Sequence, residues 1–293
     1  MPDSEKDQNT SLGILLVILA FLAFSIMSGF VKASSRAGLL TREIMFFQNM
    51  VALIVLLPWI LRGVRANLVP HNKGLVVGRA VLGLFSMYLF FLAVKLVPLV
   101  NAVLLQNTVP LFIPILALLL FRKKITLKVF ATMIIGFIGV VLVLNPGRGF
   151  LRPGDLIALS AGFLSAVVTI ILGRLEDRGE PVPTIMLYYL VITMLVTGFW
   201  SIPAWKTPQG MLWVYLIMAG ILYAAFQVLL ISSLKYASPI TISPFIYLSV
   251  VFSGVVDWVA WKQTPDFMTV IGSAVVIIGA ILSTFHHSKP AES

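Results

Sequence analysis

The sequence predicts an all-α polytopic membrane protein in which ten transmembrane helices form two inverted five-helix repeats. The composition is the first reason, because 59% of the 293 residues are hydrophobic and only 11% are charged. Soluble domains carry about 25% charged residues, so a soluble globular protein is excluded. The second reason is that the hydrophobic residues fall into ten long runs. The third is that the two halves of the chain resemble each other in register.

The ten runs have the length and continuity of transmembrane helices. A helix needs about 20 predominantly apolar residues to cross a bilayer, whereas a barrel strand would alternate over about ten residues. The first run follows an acidic flank and is longer than the apolar core of a signal peptide, so we expect a retained helix. The predicted spans are residues 11–32, 42–61, 75–95, 97–121, 125–145, 154–174, 184–203, 211–235, 238–261 and 266–286.

An internal repeat relates the two halves of the chain at an offset of about 140 residues. Ala20-Phe-Leu-Ala23 aligns with Gly162-Phe-Leu-Ser165, and Gly139-Val-Val-Leu142 aligns with Gly279-Ala-Ile-Leu282. Each half then holds five helices, and this odd number places the start of the second half on the opposite face of the membrane. Inverted repeats of this kind are a recurring plan of secondary transporters, which bind substrate near the midplane.

The distribution of charge predicts the orientation in the membrane. The formal net charge is +10, and 13 of the 21 Lys and Arg residues flank the side that holds both termini. Positive charge marks the cytoplasm, so both termini are expected there. The basic residues lie between apolar runs, and we therefore expect a lipid bilayer and no nucleic acid as partner. The predicted repeats are residues 11–145 and 154–286, with short cytoplasmic tails at 1–10 and 287–293.

Five stretches of the chain resemble the motifs of a known family. They are Arg79-Ala-Val-Leu-Gly-Leu-Phe-Ser-Met-Tyr-Leu-Phe-Phe-Leu-Ala-Val-Lys95, Val97-Pro-Leu-Val-Asn-Ala102, Val109-Pro-Leu-Phe112, Ser233-Leu-Lys-Tyr-Ala237 and Ile271-Gly-Ser-Ala-Val-Val-Ile-Ile-Gly279. Through these stretches the chain resembles the EamA-type members of the drug/metabolite transporter superfamily over roughly residues 11–286. The resemblance implies a ten-helix carrier built from two five-helix repeats, acting as a metabolite exporter or importer.

Arg79 is a cation about one turn inside the third predicted span, where a charge is costly. Two interpretations stay open. The guanidinium can reach the headgroups as a snorkelling side chain, or it can face a cavity and pair with an anionic group of a substrate. This Arg recurs in the family that the chain resembles, which favours the cavity interpretation. The depth of Arg79 in the span favours snorkelling to the same extent.

The fourth span concentrates polar residues within eight positions, and the ninth span is its counterpart. Prolines free backbone carbonyls within both, and broken helices at related positions point to a carrier's binding site. Alternatively, the amides join helices by hydrogen bonds. The candidate substrate-binding residues here are Asn101, Gln106, Asn107, Thr108, Ser243 and Tyr247, with helix breaks expected at Pro110, Pro114, Pro239 and Pro244. The flanking spans three and eight contribute Ser86, Tyr88, Tyr223 and Gln227.

Two acids are candidates for ion coupling. Glu43 opens the second span and Asp257 closes the ninth, and their depth favours solvated end charges over ion coupling. No catalytic residue, cofactor or metal site is expected, because the spans hold no cluster of His, Glu or Asp and the chain has no Cys. An enzyme is therefore not expected.

These observations predict a secondary transporter that moves a small polar metabolite, amino acid-like or nucleoside-like, across the inner membrane of a bacterium by alternating access. The protein is expected to be multi-pass and to act as a monomer or homodimer. A lipid flippase or scramblase, or a membrane scaffold without transport activity, is the alternative. The intramembrane amides favour a soluble cargo over a lipid.

Overall fold

The protein is built from long apolar helices. The computed structural model describes residues 10–63, 69–121, 127–144, 152–237 and 243–287. In these ranges seven segments are long and apolar enough to cross a membrane, and the apolar helices in Phe245–Trp261 and Phe267–Ile278 are shorter. The α-helices there are α1 (Thr10–Arg36), α2 (Thr41–Gly63), α3 (Lys73–Leu96), α4 (Leu99–Gln106), α5 (Val109–Phe121), α6 (Leu127–Leu144), α7 (Pro153–Asp177), α8 (Val182–Ser201), α9 (Met211–Tyr236), α10 (Leu248–Trp261) and α11 (Phe267–His287).

The eleven helices of the described ranges correspond to the ten predicted spans. Helices α4 and α5 share the fourth span, and a short 3-10 turn at Ser243–Tyr247 leads into α10 in the ninth. Several helices continue past the predicted ends, as α1 does to Arg36. The predicted tails lie outside the described residues apart from Thr10 and His287. The predicted fold class, an all-helical polytopic membrane protein, is confirmed.

Helix packing follows the internal repeat. Helix α1 packs extensively on α9 and α3 packs extensively on α7, and each of these pairs becomes the other when the two halves of the chain are exchanged. The pairs α2–α9 and α8–α3 are related in the same way, as are α1–α10 and α7–α4. Helices α2 and α8, α6 and α11, and α4 and α10 each pack against their own counterpart. This is the pairing that two repeats of five spans each would produce.

The outer surface is apolar. Many large hydrophobic side chains are exposed, and Phe199, Phe267 and Leu119 are about 70% exposed. A soluble monomer rarely presents such extensive apolar surface, whereas hydrocarbon contact favours it. The exposed surface therefore matches a protein embedded in lipid.

The fourth span breaks in the middle of the protein. Pro110 has no N–H to donate to the Gln106 carbonyl, so the helix ends at Gln106 and restarts at Val109. Pro110 then lies in the first turn of α5, where proline is tolerated. The Thr108 hydroxyl donates to the Leu105 carbonyl at 2.6 Å and so satisfies part of the broken end. Pro114 lies inside α5 without ending it.

The start of the ninth span is also irregular. Pro239 lies outside the described residues, and Pro244 is in the 3-10 turn that precedes α10. The break in the fourth span and this turn thus occupy related places in the two halves. Because α4 and α10 pack against each other, the two irregular segments lie at the interface between the repeats.

Candidate functional site

A cavity of about 270 Å³ lies beside the break in the fourth span. It is lined by residues from α1, α3, α7, α8 and α9 and from the junction of α4 and α5, so both halves of the chain contribute. Six of the predicted substrate-binding residues are brought together in its wall: Arg79, Ser86, Gln106, Asn107, Tyr223 and Gln227.

The cavity extends toward the end of the bundle where α3 begins. Arg79 is six residues after Lys73, which places it about 9 Å along the helix. Leu172, near the end of α7, and Tyr189, near the start of α8, line the cavity from the same end. The charge distribution predicts that this end is cytoplasmic.

Arg79 is the charged group of the cavity. Among the lining side chains of the described ranges it alone carries a formal charge. Its guanidinium carbon lies 4.8 Å from the centre of the Tyr189 ring, within the range of a cation–π contact. Its Nε and Nη1 atoms are buried and have no hydrogen-bond partner in the described part of the chain. The side chain is thus directed into the protein and not held by an internal acid.

Two amides from the break in the fourth span differ in how they are bonded. Asn107 donates through Nδ2 to the Ser249 hydroxyl at 2.8 Å, and Ser249 in turn donates to the Ile246 carbonyl. This contact ties the break to the beginning of the ninth span. The Oε1 atom of Gln106 is buried and finds no donor among the described residues. Asn107 therefore joins the helices, whereas Gln106 retains an unused acceptor.

Aromatic rings form the wall between α1 and α9. The Phe24 and Phe226 ring centres are 5.2 Å apart, and Phe21 meets Phe226 edge to face at 5.6 Å. Tyr223 lies beside Phe226 and accepts a hydrogen bond at 2.8 Å from Nε2 of Gln227. This wall offers flat apolar contacts with a polar edge.

The wall formed by α3 and α7 is hydroxyl-rich. Ser86 contacts the Ala161 carbonyl at 3.0 Å and the Ser165 hydroxyl at 2.7 Å. One turn further along α7, Thr169 donates to the Ser165 carbonyl. The contacts of Ser86 thus join α3, from the first half of the chain, to α7, from the second half, at the cavity.

Five other predicted binding residues are not among those lining the cavity. Tyr88 packs on Trp200 with ring centres 5.0 Å apart, which is a helix–helix contact. Asn101 is buried, while Thr108 caps the end of α4. Tyr247 is buried, and its hydroxyl has no partner within the described chain. Ser243 belongs to the 3-10 turn.

The expectation that Glu43 is a solvated end charge is wrong. Its side chain is fully buried, and its two oxygens accept the backbone N–H groups of Leu40 at 2.9 Å and Lys206 at 2.7 Å. The carboxylate thus joins the start of α2 to the segment that follows α8. Burial is possible because two backbone donors replace the lost water.

The same expectation is wrong for Asp257. This carboxylate is 1% exposed and forms an ion pair with Lys32, with Nζ and Oδ1 at 2.5 Å. Oδ2 also accepts the N–H of Val100, in the first turn of α4, at 3.3 Å. Lys32 is likewise buried, and its charge is paired within the protein. The ion pair connects α1, α4 and α10 at the end of the bundle opposite Arg79.

Several cavity residues were not predicted. The rings of Phe21, Phe24 and Phe226 carry no signal in an apolar helix, because lipid-facing and cavity-facing phenylalanines look alike in sequence. Ser165 and Thr169 did carry a signal, since two hydroxyls four residues apart share one face of a helix. No group of three or more His, Asp or Glu side chains in the described ranges is placed to hold a metal ion.

Sequence comparison places the chain among known carriers. The profile of the EamA-like transporter family matches it twice, over residues 11–145 and 152–285. A riboflavin transporter of Vibrio cholerae serotype O1 is 25% identical over 281 residues, 94% of this chain and 94% of the relative. A pseudopaline exporter, CntI, of Pseudomonas aeruginosa is 25% identical over 278 residues, 92% and 94% of the two chains. An S-adenosylmethionine uptake transporter of Rickettsia felis is 26% identical over 294 residues, 100% and 98%.

These relatives are named for three different cargoes, and their names include both uptake and export. What the names share is transport of a small molecule. Together with the two profile matches and the membrane fold, they support a small-metabolite transporter. The chain belongs to the EamA-like transporter family.

Proposed function

We propose that this protein is a secondary transporter of the bacterial inner membrane that carries a small polar metabolite, amino acid-like or nucleoside-like, by alternating access. The observation that carries the proposal is the cavity beside Arg79, because its lining comes from both halves of the chain. A site between two inverted repeats becomes accessible to each face in turn when one repeat rocks against the other.

In this conformation the two ends of the bundle differ. The cavity lies toward the end where α3 begins, and the opposite end is held by the buried Lys32–Asp257 pair between α1 and α10. Opening that opposite end requires α1 to move away from α10, which separates the pair. We therefore assign this conformation to the state that faces the cytoplasm.

The orientation of the protein belongs to the same proposal. The excess of Lys and Arg on the side that holds both termini supports a cytoplasmic location for them. The chain has no cysteine, so single-cysteine variants need no prior engineering. Labelling of intact cells with a membrane-impermeant maleimide should modify Gln209→Cys and spare Lys73→Cys, and the reverse pattern would overturn the orientation.

Asp257 is the stronger of the two candidates for ion coupling. Glu43 is satisfied by two backbone N–H groups near the start of α2. Asp257 instead pairs with a side chain of the other repeat, so its protonation and the movement of α1 are linked. In an assay driven by an imposed pH gradient, Asp257→Asn should remove the response to the gradient, and a retained response would exclude coupling at this residue.

Uptake by reconstituted protein tests the proposed function. Purified protein in liposomes, presented with a uniformly 13C-labelled metabolite extract, should accumulate at least one compound above the level in empty liposomes. Arg79→Lys should reduce that uptake by about tenfold, because an ammonium does not reproduce the guanidinium's hydrogen bonds to a bound group. Insertion into the membrane should remain normal.

The matched control is Lys95→Arg, at an exposed lysine on the same helix, which should leave uptake unchanged. If no compound entered while a fluorescent lipid was flipped, the lipid flippase would replace the carrier. Normal uptake by Arg79→Lys would show that Arg79 snorkels to the headgroups.

A further inference from the structure

We infer that the cavity binds an organic anion that carries a flat ring, with Arg79 holding the acidic group and the rings of α1 and α9 holding the flat one. This inference rests on the proposed function and names the chemical class of its substrate. It is carried by three features of the cavity: one uncompensated cation, one aromatic wall and one unused buried acceptor.

The positive charge of Arg79 makes the cavity suitable for an anion. Nε and Nη1 of Arg79 are buried without a hydrogen-bond partner in the described chain, and no Asp or Glu occurs among the described lining residues. An unpaired charge in a low-dielectric interior is strongly unfavourable. Tyr189 stacks at 4.8 Å and covers the guanidinium plane, but a ring provides no oxygen for the N–H donors. A carboxylate or phosphate provides such oxygens.

Tyr189 is held against Arg79 by the shape of α3. A Cβ atom at Gly83, one turn after Arg79, would lie 3.1 Å from Cε2 of Tyr189. Because glycine occupies this position, the tyrosine ring packs closely on α3 and limits where the guanidinium can turn. Arg79 is thus oriented within the cavity, as expected of a binding residue and not of a free surface cation.

The aromatic wall between α1 and α9 makes the cavity suitable for a flat ring. Phe24, Phe226 and Phe21 are in mutual contact at centre separations between 5.2 and 6.4 Å, and all three line the cavity with Tyr223. Aromatic faces and edges bind a planar ring more favourably than an aliphatic group of the same size. The volume of about 270 Å³ is just below that of typical drug-sized pockets, roughly 300–1,000 Å³, so the ring system is small.

Gln106 adds a requirement for a donor on the ligand. Its buried Oε1 has no donor in the described residues, and a buried acceptor left unpaired is costly. An N–H or O–H group on the ligand would satisfy it. The complementary ligand is therefore compact, planar at one part, acidic at another, and able to donate a hydrogen bond.

A binding experiment with matched probes tests the inference. Purified protein in nanodiscs is titrated by calorimetry with a panel of aromatic carboxylates and nucleoside 5′-monophosphates, for example indole-3-acetate and uridine 5′-monophosphate. Each acid is compared with its neutral counterpart, indole-3-acetamide or uridine, and the carboxylates also with cyclohexylacetate. We expect at least one acid to bind about tenfold more tightly than its neutral counterpart, and, if it is a carboxylate, about threefold more tightly than cyclohexylacetate.

Variants separate the two parts of the site. Arg79→Gln should abolish the preference for acids, and Phe226→Leu should abolish only the preference for a ring. If Arg79→Gln does not fold, Arg79→Lys takes its place in the test. Because Arg79→Lys keeps the positive charge, it should retain part of the preference for acids. Lys95→Gln, at an exposed position of the same helix, should bind like the unmodified protein.

The inference is overturned if no acid in the panel binds better than its neutral counterpart, or if the preference survives in Arg79→Gln. Comparison of the carboxylates with the nucleoside monophosphates also shows which of the two acidic groups the cavity prefers. If liposomes still accumulate metabolites while no acid is preferred, the proposed function stands and this inference falls. If acids bind as expected but nothing is transported, the site stands and the carrier function falls.

Discussion

At the scale of single residues, the Lys32–Asp257 pair is a buried ion pair with several further contacts. Lys32 Nζ contacts Asp257 Oδ1 at 2.5 Å and Gln263 Oε1 at 3.3 Å, and it lies 4.7 Å from the centre of the Trp261 ring. Asp257 also accepts the N–H of Val100. With these partners the Lys32 ammonium and the Asp257 carboxylate compensate each other inside the protein. Removal of either charge leaves the other buried and unpaired.

Breaking this pair from one side should therefore destabilise the protein. Lys32→Met leaves a buried carboxylate and should cost about 3–5 kcal/mol, whereas the double variant Lys32→Met, Asp257→Leu should recover much of that loss. Thermal unfolding of the purified variants in detergent measures both effects. Lys95→Met, at an exposed lysine, is the control and should unfold like the parent. A double variant no more stable than Lys32→Met would contradict the account of the pair.

At the scale of elements, the break in the fourth span depends on a close approach by α7. A Cβ atom at Gly162 would lie 2.5 Å from the Leu105 carbonyl oxygen and 2.8 Å from the Thr108 hydroxyl. Only a residue without a side chain lets α7 pack on these freed backbone groups. The sequence indicated a break near Pro110, but Pro114 is accommodated inside a continuous helix, so proline alone did not determine where the chain breaks.

A matched pair of glycine substitutions in α7 tests this dependence. Gly162→Ala should push α7 away from the break and lower stability by about 1–3 kcal/mol, as overpacking does. Gly173→Ala is the same change in the same helix, and no atom lies within 4 Å of the added carbon. It should leave stability unchanged or raise it by up to about 1 kcal/mol. Equal unfolding temperatures for the two variants would show that the close approach is unimportant.

At the scale of the whole molecule, the helical architecture was predictable for two reasons. Each span must be long and apolar, and the two halves of the sequence align with each other. The cavity was predictable only in part. Arg79 and the amides of the fourth span stand out, since polar groups are rare in hydrocarbon. The phenylalanines of α1 and α9 do not stand out, and neither does the pairing of Lys32 with Asp257, because contacts across 225 positions arise from helix packing between the repeats.

The central claim is that the cavity beside Arg79 is the transport path, and chemical blocking of the cavity tests it most directly. Thr169 lines the cavity, whereas Ser160, on the same helix, is not among the residues that line it. Both hydroxyls are exposed and donate to the carbonyl four residues earlier, at 2.8 and 2.9 Å. Each is replaced by cysteine, labelled with a benzyl methanethiosulfonate, checked for complete labelling by mass spectrometry and assayed for metabolite uptake in liposomes. The account predicts that labelling abolishes uptake by Thr169→Cys and leaves uptake by Ser160→Cys intact; undiminished uptake by labelled Thr169→Cys would contradict it.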